Sequence, residues 1–286
     1  MKKFLLAFAA ILFLLPSAAF SQREVVRLTR YGGDRITGVY AASSFQVELV
    51  KSNDTKAVVE IDGALEPYLR FSRGSDGVVS VGIRSLNNRE QREYERLVRQ
   101  QVNRTMKLTL YLPEVNSIRL SGACKLTTSD IFTGNNIHVQ LSGSSRMQGL
   151  NISGASLKVD CSGASNASLT ARVSGDLTAT ASGSAKIDLQ ASGVANSKLT
   201  ASGASNVQIK GDGRQGNWTT SGSARIVGDE FPLQQLTVTA SGASSVRTSV
   251  SESLTSRTSG SSSVRYRGQP THLNNNTSGS SSVRSL

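Results

Sequence analysis

The 286-residue sequence predicts an all-β protein wound as a right-handed parallel β-helix of about 20 residues per rung, preceded by a less regular β-rich N-terminal part. Three observations carry that prediction. A Ser-Gly pair returns at Ser121, Ser142, Ser162, Ser182, Ser202, Ser221, Ser241, Ser259 and Ser278, in steps of 18 to 21 residues, and a fixed period of this length marks a solenoid. Five positions after each serine stand Leu126, Met147, Ala167, Ile187, Val207, Ile226, Val246, Val264 and Val283, an unbroken apolar column. Between corners, apolar and polar residues alternate, as in Leu157, Val159 and Cys161, with the period of two that belongs to strands.

Residues 1–21 are a different object. Lys2 and Lys3 precede the apolar run Phe4 to Leu15, and Ala19 and Ser21 occupy the −3 and −1 positions of a cleavage site. This is the pattern of a secretory signal peptide, with the mature chain expected to start at Gln22. An apolar run this short does not comfortably span a bilayer. No cysteine stands near the cut to take a lipid, and no later segment is apolar enough to cross a membrane. The expected location is the periplasm, the cell surface or the extracellular medium.

Residues 22–115 lack the twenty-residue beat. Strands are predicted at Glu24 to Thr29, Ser44 to Val50, Lys56 to Ile61, Gly77 to Ile83 and Met106 to Leu112. A solenoid end exposes unpaired strand edges, so this part reads as a cap or a set of wider rungs, joined to the repeats near Pro113. Within it, Asn87 to Arg104 has helical spacing at Tyr94, Leu97, Val98 and Val102 and places Arg89, Arg92, Arg96 and Arg99 on one face. That stripe is either a contact for an anionic partner or a solvated insertion partly neutralised by Glu90, Glu93 and Glu95.

Residues 116–286 form the repeats. The glycine of each pair supplies the positive φ that a tight corner needs, so stacked glycines mean stacked bends. Ile118, Val139, Val159, Ala179, Leu199, Trp218 and Val238 make a second core column, which gives way to Ser256 and Asn275. Mostly small residues precede each serine, from Leu120 and Leu141 to Thr258 and Thr277. A further Ser-Gly at Ser153, Ser174 and Ser192 predicts a second, similar corner half a period later. Rungs this short leave no room for a crossover helix, and eight steps at roughly 4.8 Å give a coil on the order of 40 Å long.

Cys124 and Cys161 are 37 residues apart, almost two rungs, an axial offset of roughly 9 Å that a disulfide does not reach. Both are expected as unpaired fillers. His138 and His272 stand far apart in register, so no metal or cofactor site is expected. The formal charge is +12, from 32 basic and 20 acidic residues; without Lys2 and Lys3 it is +10. Such a surface attracts anions or keeps a β-rich surface soluble. Export moves the expected partners to acidic polysaccharide, lipopolysaccharide or other envelope components. Nucleic acid is not expected, because no aromatic stacking platform or helix-turn-helix pattern accompanies the charge.

The last three rungs repeat Ser-Val-Arg. If the valines point inward, Arg247, Arg265 and Arg284 stack outward about one strand spacing apart. A row of this kind repels itself unless an anion or a flanking group compensates, which makes it the candidate binding site. The alternative is that arginine ends guard strand edges from pairing.

Catalysis on this scaffold would need clustered groups. Asp130, Asp160, Asp176, Asp188, Asp212, Asp229, Glu230 and Glu252 form no acidic column, whereas a hydrolase needs two carboxylates within roughly 5 to 10 Å. No Lys or Arg base beside a carboxylate-neutralising ion stands out, and neither histidine shares a phase with a serine and a carboxylate.

The segments FQVELVKSNDTKAVVEIDGALEPYLRF (Phe45 to Phe71) and MKLTLYLPEVNSIRLSG (Met106 to Gly122), with the repeats VDCSGASNASL and LTASGASNVQI, resemble the putative auto-transporter adhesin, head GIN domain family. The likeness covers roughly residues 36–286, although the triplet Gly-Ile-Asn is absent and no barrel or sorting domain is expected after the last rung. The resemblance implies an exported β-helix of Bacteroidetes-like bacteria, similar to pectin-lyase folds. The predicted function is therefore adhesion or envelope interaction through polar, basic faces, without catalysis. The alternatives are a polysaccharide-active enzyme of pectin-lyase-like fold and a structural rod that pairs end to end with further copies.

Overall fold

A computed structural model describes residues 24–100 and 104–286. The predicted signal peptide, the expected start at Gln22 and Val102 lie outside the described residues.

The chain coils as a parallel β-solenoid of about eight turns, with stacked coils about 20 residues apart. Ser117–Leu120, Asn136–Leu141, Ser156–Cys161 and Asp176–Ala181 pair in parallel and in register. The ladder continues through Lys186–Ala201, Asn206–Thr220, Arg225–Ala240 and Ser245–Thr258. In-register parallel pairing is what turns a sequence period into spatial columns. Leu126, Met147, Ala167, Ile187, Val207, Ile226, Val246 and Val264 are all 0% exposed and lie one over another. The second column, from Ile118 through Trp218 to Ser256, is buried as well.

Each corner is built alike. Gly122, Gly143, Gly163, Gly183, Gly203, Gly222, Gly242, Gly260 and Gly279 have φ between 67° and 78°, a region costly for any residue with a Cβ. The next residue donates its N–H to the glycine carbonyl one coil earlier, as Ser144 does to Gly122 (2.7 Å) and Ala204 to Gly183 (2.8 Å). In every coil but the last the residue two places beyond that glycine is buried, and where it is serine its hydroxyl finds a partner in the preceding coils. Ser205 donates to the Ala181 carbonyl (3.0 Å), Ser262 to the Ala240 carbonyl (3.1 Å), and Ser244 meets Thr220 Oγ1 at 2.9 Å. These bonds make the burial of a hydroxyl tolerable. The second serine of Ser-Gly-Ala-Ser is thus structural.

The half-period Ser-Gly pairs do not repeat this corner. Gly193 has φ 74°, but Gly154 and Gly175 are outside the left-handed region, and Lys186–Ala201 runs through Gly193 as one strand. At Ser153 and Ser174 the chain only bends between two strands, Arg146–Gly154 to Ser156–Cys161 and Asn166–Val173 to Asp176–Ala181, instead of making the tight turn of the main corner. Equal dipeptides therefore mark unequal bends.

At the N-terminal end, Gly38–Ala41 and Gln46–Lys51 form a first coil beneath Ser117–Leu120 and Lys125–Thr127. Ser43, with φ 73°, takes the place of the corner glycine there. Below that coil Val78–Ile83 and Met106–Leu112 still pair with it in parallel, and beyond them the pairing becomes antiparallel. Val25–Arg30 lies against Lys56–Asp62, which lies against Met106–Leu112, and Leu69–Arg73 forms a hairpin with Val78–Ile83. At the other end His272–Thr277 and Ser282–Ser285 each pair on one side. Leu273 is 47% exposed although Leu254 beneath it is fully buried.

The helix Asn88–Gln100 leaves the body before Met106. Asn87 caps it, its Oδ1 accepting from the N–H groups of Arg89 and Glu90, while Glu90 accepts from the Asn87 N–H, each at 3.0 Å. This reciprocal arrangement is the capping box. Arg84 grips the same Glu90 with two N–H donors, at 2.8 and 3.2 Å, and Tyr94 meets Tyr68 edge to face at 5.6 Å. The bond from Arg84, then that from Asn87, holds the Glu90 carboxyl down to about 2. The folded value lies below the unfolded value of about 4.3, so this anchor is complete above about pH 4.3 and is lost as the pH falls through 2. Amide protection factors in 88–100 are expected to drop between pH 4 and 2 while those of the coil persist, and Glu90→Gln is expected to remove that pH dependence.

Candidate anion-binding face

The outward side chains of each coil fall on two strand faces separated by the corners. On one, Lys186, Lys210, Arg225, Arg247, Arg265 and Arg284 follow one another toward the C-terminal end. Alternation sets their direction: Val246 and Val264 are fully buried, so Arg247 and Arg265 point outward. Arg247 stands in register with Arg265, and Arg265 with Arg284. The three guanidinium groups therefore leave the backbone roughly 4.8 Å apart.

Arg247 and Arg265 share a depression of about 340 Å³ with Arg225, over a floor that includes Ser245 and Ser263. Arg225 Nε donates to Ser245 Oγ at 3.3 Å. Arg247 leans the other way, its Nη2 2.6 Å from Asp229 Oδ2, and Arg267 approaches the same oxygen at 3.7 Å. Asp229 is the flanking group that relieves part of the row. Arg247 Nε is buried without a hydrogen-bond partner. Arg225, Arg265 and Arg284 make no ion pair among the described residues. Bidentate guanidinium donors with free valence and neighbouring hydroxyls suit carboxylate, phosphate or sulfate oxygens. Arg284 lies beside Arg265 at the last coil and outside the depression. Arg225 was hidden because it stands in register with Ser245, two places ahead of the arginine column.

Farther down the same face two cations are paired. Lys186 pairs with Asp188 and Lys210 with Glu230, each at 2.9 Å. On the helix, Arg92, Arg96 and Arg99 flank a cleft with Glu95, while Tyr94, Leu97 and Val98 pack against the body.

His138 shares no phase with a serine and a carboxylate, but its Nε2 lies 3.0 Å from Asp160 Oδ2, and Lys158 Nζ lies 3.1 Å from the same oxygen. His138 is in register with Lys158, so Asp160 is a diagonal neighbour that phase does not reveal. Burial pushes the Asp160 carboxyl up, but hydrogen bonds from His138, Lys158 and Thr180 outweigh it and hold it below the usual carboxylate range. Cys124 and Cys161 are free and buried, and burial pushes their thiols up to about 11 and about 12. Among the described residues no group of three or more His, Cys, Asp or Glu is placed to hold a metal, and no helix is long and apolar enough to cross a membrane.

The family model described as putative auto-transporter adhesin, head GIN domain matches residues 36–210 and 171–270. The chain belongs to this family. The fold recurs in solved structures of low sequence identity. A putative adhesin from Parabacteroides merdae ATCC 43184 is 12% identical with a TM-score of 0.64, over 92% of this chain and 96% of that one. A putative adhesin from Parabacteroides distasonis ATCC 8503 is 14% identical with a TM-score of 0.66, over 93% and 98%. A putative lipid binding protein from the same organism is 14% identical with a TM-score of 0.59, over 92% and 96%. No curated protein matches the chain.

Proposed function

We propose that this chain is an exported, non-catalytic adhesin of the cell envelope whose arginine face holds the anionic groups of acidic polysaccharide or lipopolysaccharide. The observation that carries this reading is the register of Arg247, Arg265 and Arg284, with Arg225 at the edge of the same surface. A coil that repeats one cation per rung offers a polymer or a lipid layer several identical contacts, and weak single contacts then add through multivalency. Membership of an adhesin-type family supports the same direction, and a structural neighbour described as lipid binding is compatible with a phosphate-bearing envelope lipid.

Wild-type protein is expected to be retained on immobilised lipopolysaccharide and on polygalacturonate, with elution by salt as exposed charges are screened. The Arg247→Ala, Arg265→Ala, Arg284→Ala variant is expected to bind at least about tenfold more weakly, since charge-assisted hydrogen bonds are worth about 1.5–3 kcal/mol each. Unchanged retention would remove the arginine face from the function.

A further inference from the structure

The other strand face carries a site of opposite character. Asp176, Asn196 and Gln215 stand in register as one outward column, and Thr178, Lys198 and Asn217 form the next, two residues along each strand. Between them the inward positions are Leu177, Ser197 and Gly216, whose backbone floors a trough of about 330 Å³. The trough is three coils long and two residues wide, roughly 10 by 7 Å between wall positions.

Its construction is fixed from below. Trp218 is fully buried and its indole N–H donates to Ser197 Oγ at 3.1 Å, while that hydroxyl donates to the Gln215 carbonyl at 3.1 Å. A Cβ on Gly216 would lie 2.7 Å from a Leu236 methyl and 3.0 Å from the Trp218 nitrogen, so the floor rests directly on the core. Along the wall, Asn196 Nδ2 donates to Asp176 Oδ1 at 2.9 Å, which orients both groups and leaves the second carboxylate oxygen free of that bond.

We propose that this trough is a second binding site, which takes a neutral pyranose unit of a glycan. The walls supply three primary amides, a hydroxyl, one carboxylate and one ammonium group, so acceptors and donors stand side by side at the spacing of neighbouring strands. Adjacent sugar hydroxyls present the same alternation of donor and acceptor. Asp176 and Lys198 cancel, and a trough without net charge favours neither polyanions nor cations. The backbone floor at Leu177, Ser197 and Gly216 faces the bound ring, in a volume within the usual range of small-molecule sites. The site is independent of the arginine face, and a protein with both would hold an anionic surface and a neutral glycan at once.

Affinity electrophoresis of the full chain through gels containing a soluble β-glucan, a mannan, a galactan or a xylan tests this, with polygalacturonate as the anionic comparison. At least one neutral glycan is expected to retard the wild type, the retardation is expected to survive high salt, and the fluorescence of Trp218, the single tryptophan, is expected to shift on titration with that glycan. Asn196→Ala with Gln215→Ala is expected to weaken neutral-glycan binding about tenfold or more, with an unchanged circular dichroism spectrum and undiminished retention on polygalacturonate. The triple arginine variant is expected to do the reverse. The absence of retardation by all four neutral glycans, or equal retardation of the double variant, would overturn the site and leave the arginine reading untouched.

Discussion

Replacing Trp218 by alanine is expected to lower the unfolding free energy by about 3–5 kcal/mol, the range for removing a fully buried large aromatic side chain. Trp218 is 0% exposed and occupies a column position that Leu199 fills below it and Val238 above it. Its ring also packs beside Phe231, with centroids 6.5 Å apart, and its N–H satisfies Ser197 inside the core. Alanine would leave a cavity between two coils and remove one of the two hydrogen bonds of the Ser197 hydroxyl. In a solenoid each coil contacts chiefly its neighbours, so loosening is expected to centre on the coils around residues 199–238. Urea unfolding measures the total, and amide exchange locates it. Trp218→Phe, which keeps most of the volume, is expected to lose markedly less.

The second large effect is expected at the corner stack. Gly203→Val forces a β-branched residue into φ 72°, where an L-residue is disfavoured by about 1–2 kcal/mol before any contact is counted. The added Cβ would stand 2.8 Å from the Gly183 carbonyl oxygen, the acceptor of the Ala204 N–H. Neither atom moves without breaking the ladder at that corner, so a loss of at least about 2 kcal/mol in urea unfolding is expected. Ala204→Val, one residue along and exposed, is the control and is expected to stay within about 0.5 kcal/mol of wild type.

The coils were legible in the sequence because parallel in-register stacking places residues one period apart in contact. The columns from Leu126 to Val264, the nine corner glycines and the alignment of Arg247, Arg265 and Arg284 all follow from that single rule. What the period does not encode was hidden. The antiparallel end built from Val25–Arg30, Lys56–Asp62 and Met106–Leu112 has no repeat, and the strands Gly38–Ala41 and Leu69–Arg73 are too short and mixed to stand out. Diagonal neighbours were missed for the same reason. Arg225 joins Arg247, and His138 joins Asp160, across an offset of two positions that column-by-column reading skips. The trough at Asn196 is walled by the outward columns Asp176, Asn196, Gln215 and Thr178, Lys198, Asn217, which look in sequence like ordinary solvated positions.

The central claim is that successive coils lie in register, since the arginine row, the trough and the corner stack all depend on it. Nitroxide labels on Thr200→Cys, Thr219→Cys and Thr239→Cys test it most directly. These threonines are register partners on an accessible face, and the native Cys124 and Cys161 are buried away from the label. Three nitroxides roughly 4.8 Å apart at the backbone are predicted to give a single exchange-narrowed resonance. A spectrum of three sharp, uncoupled lines would contradict the account.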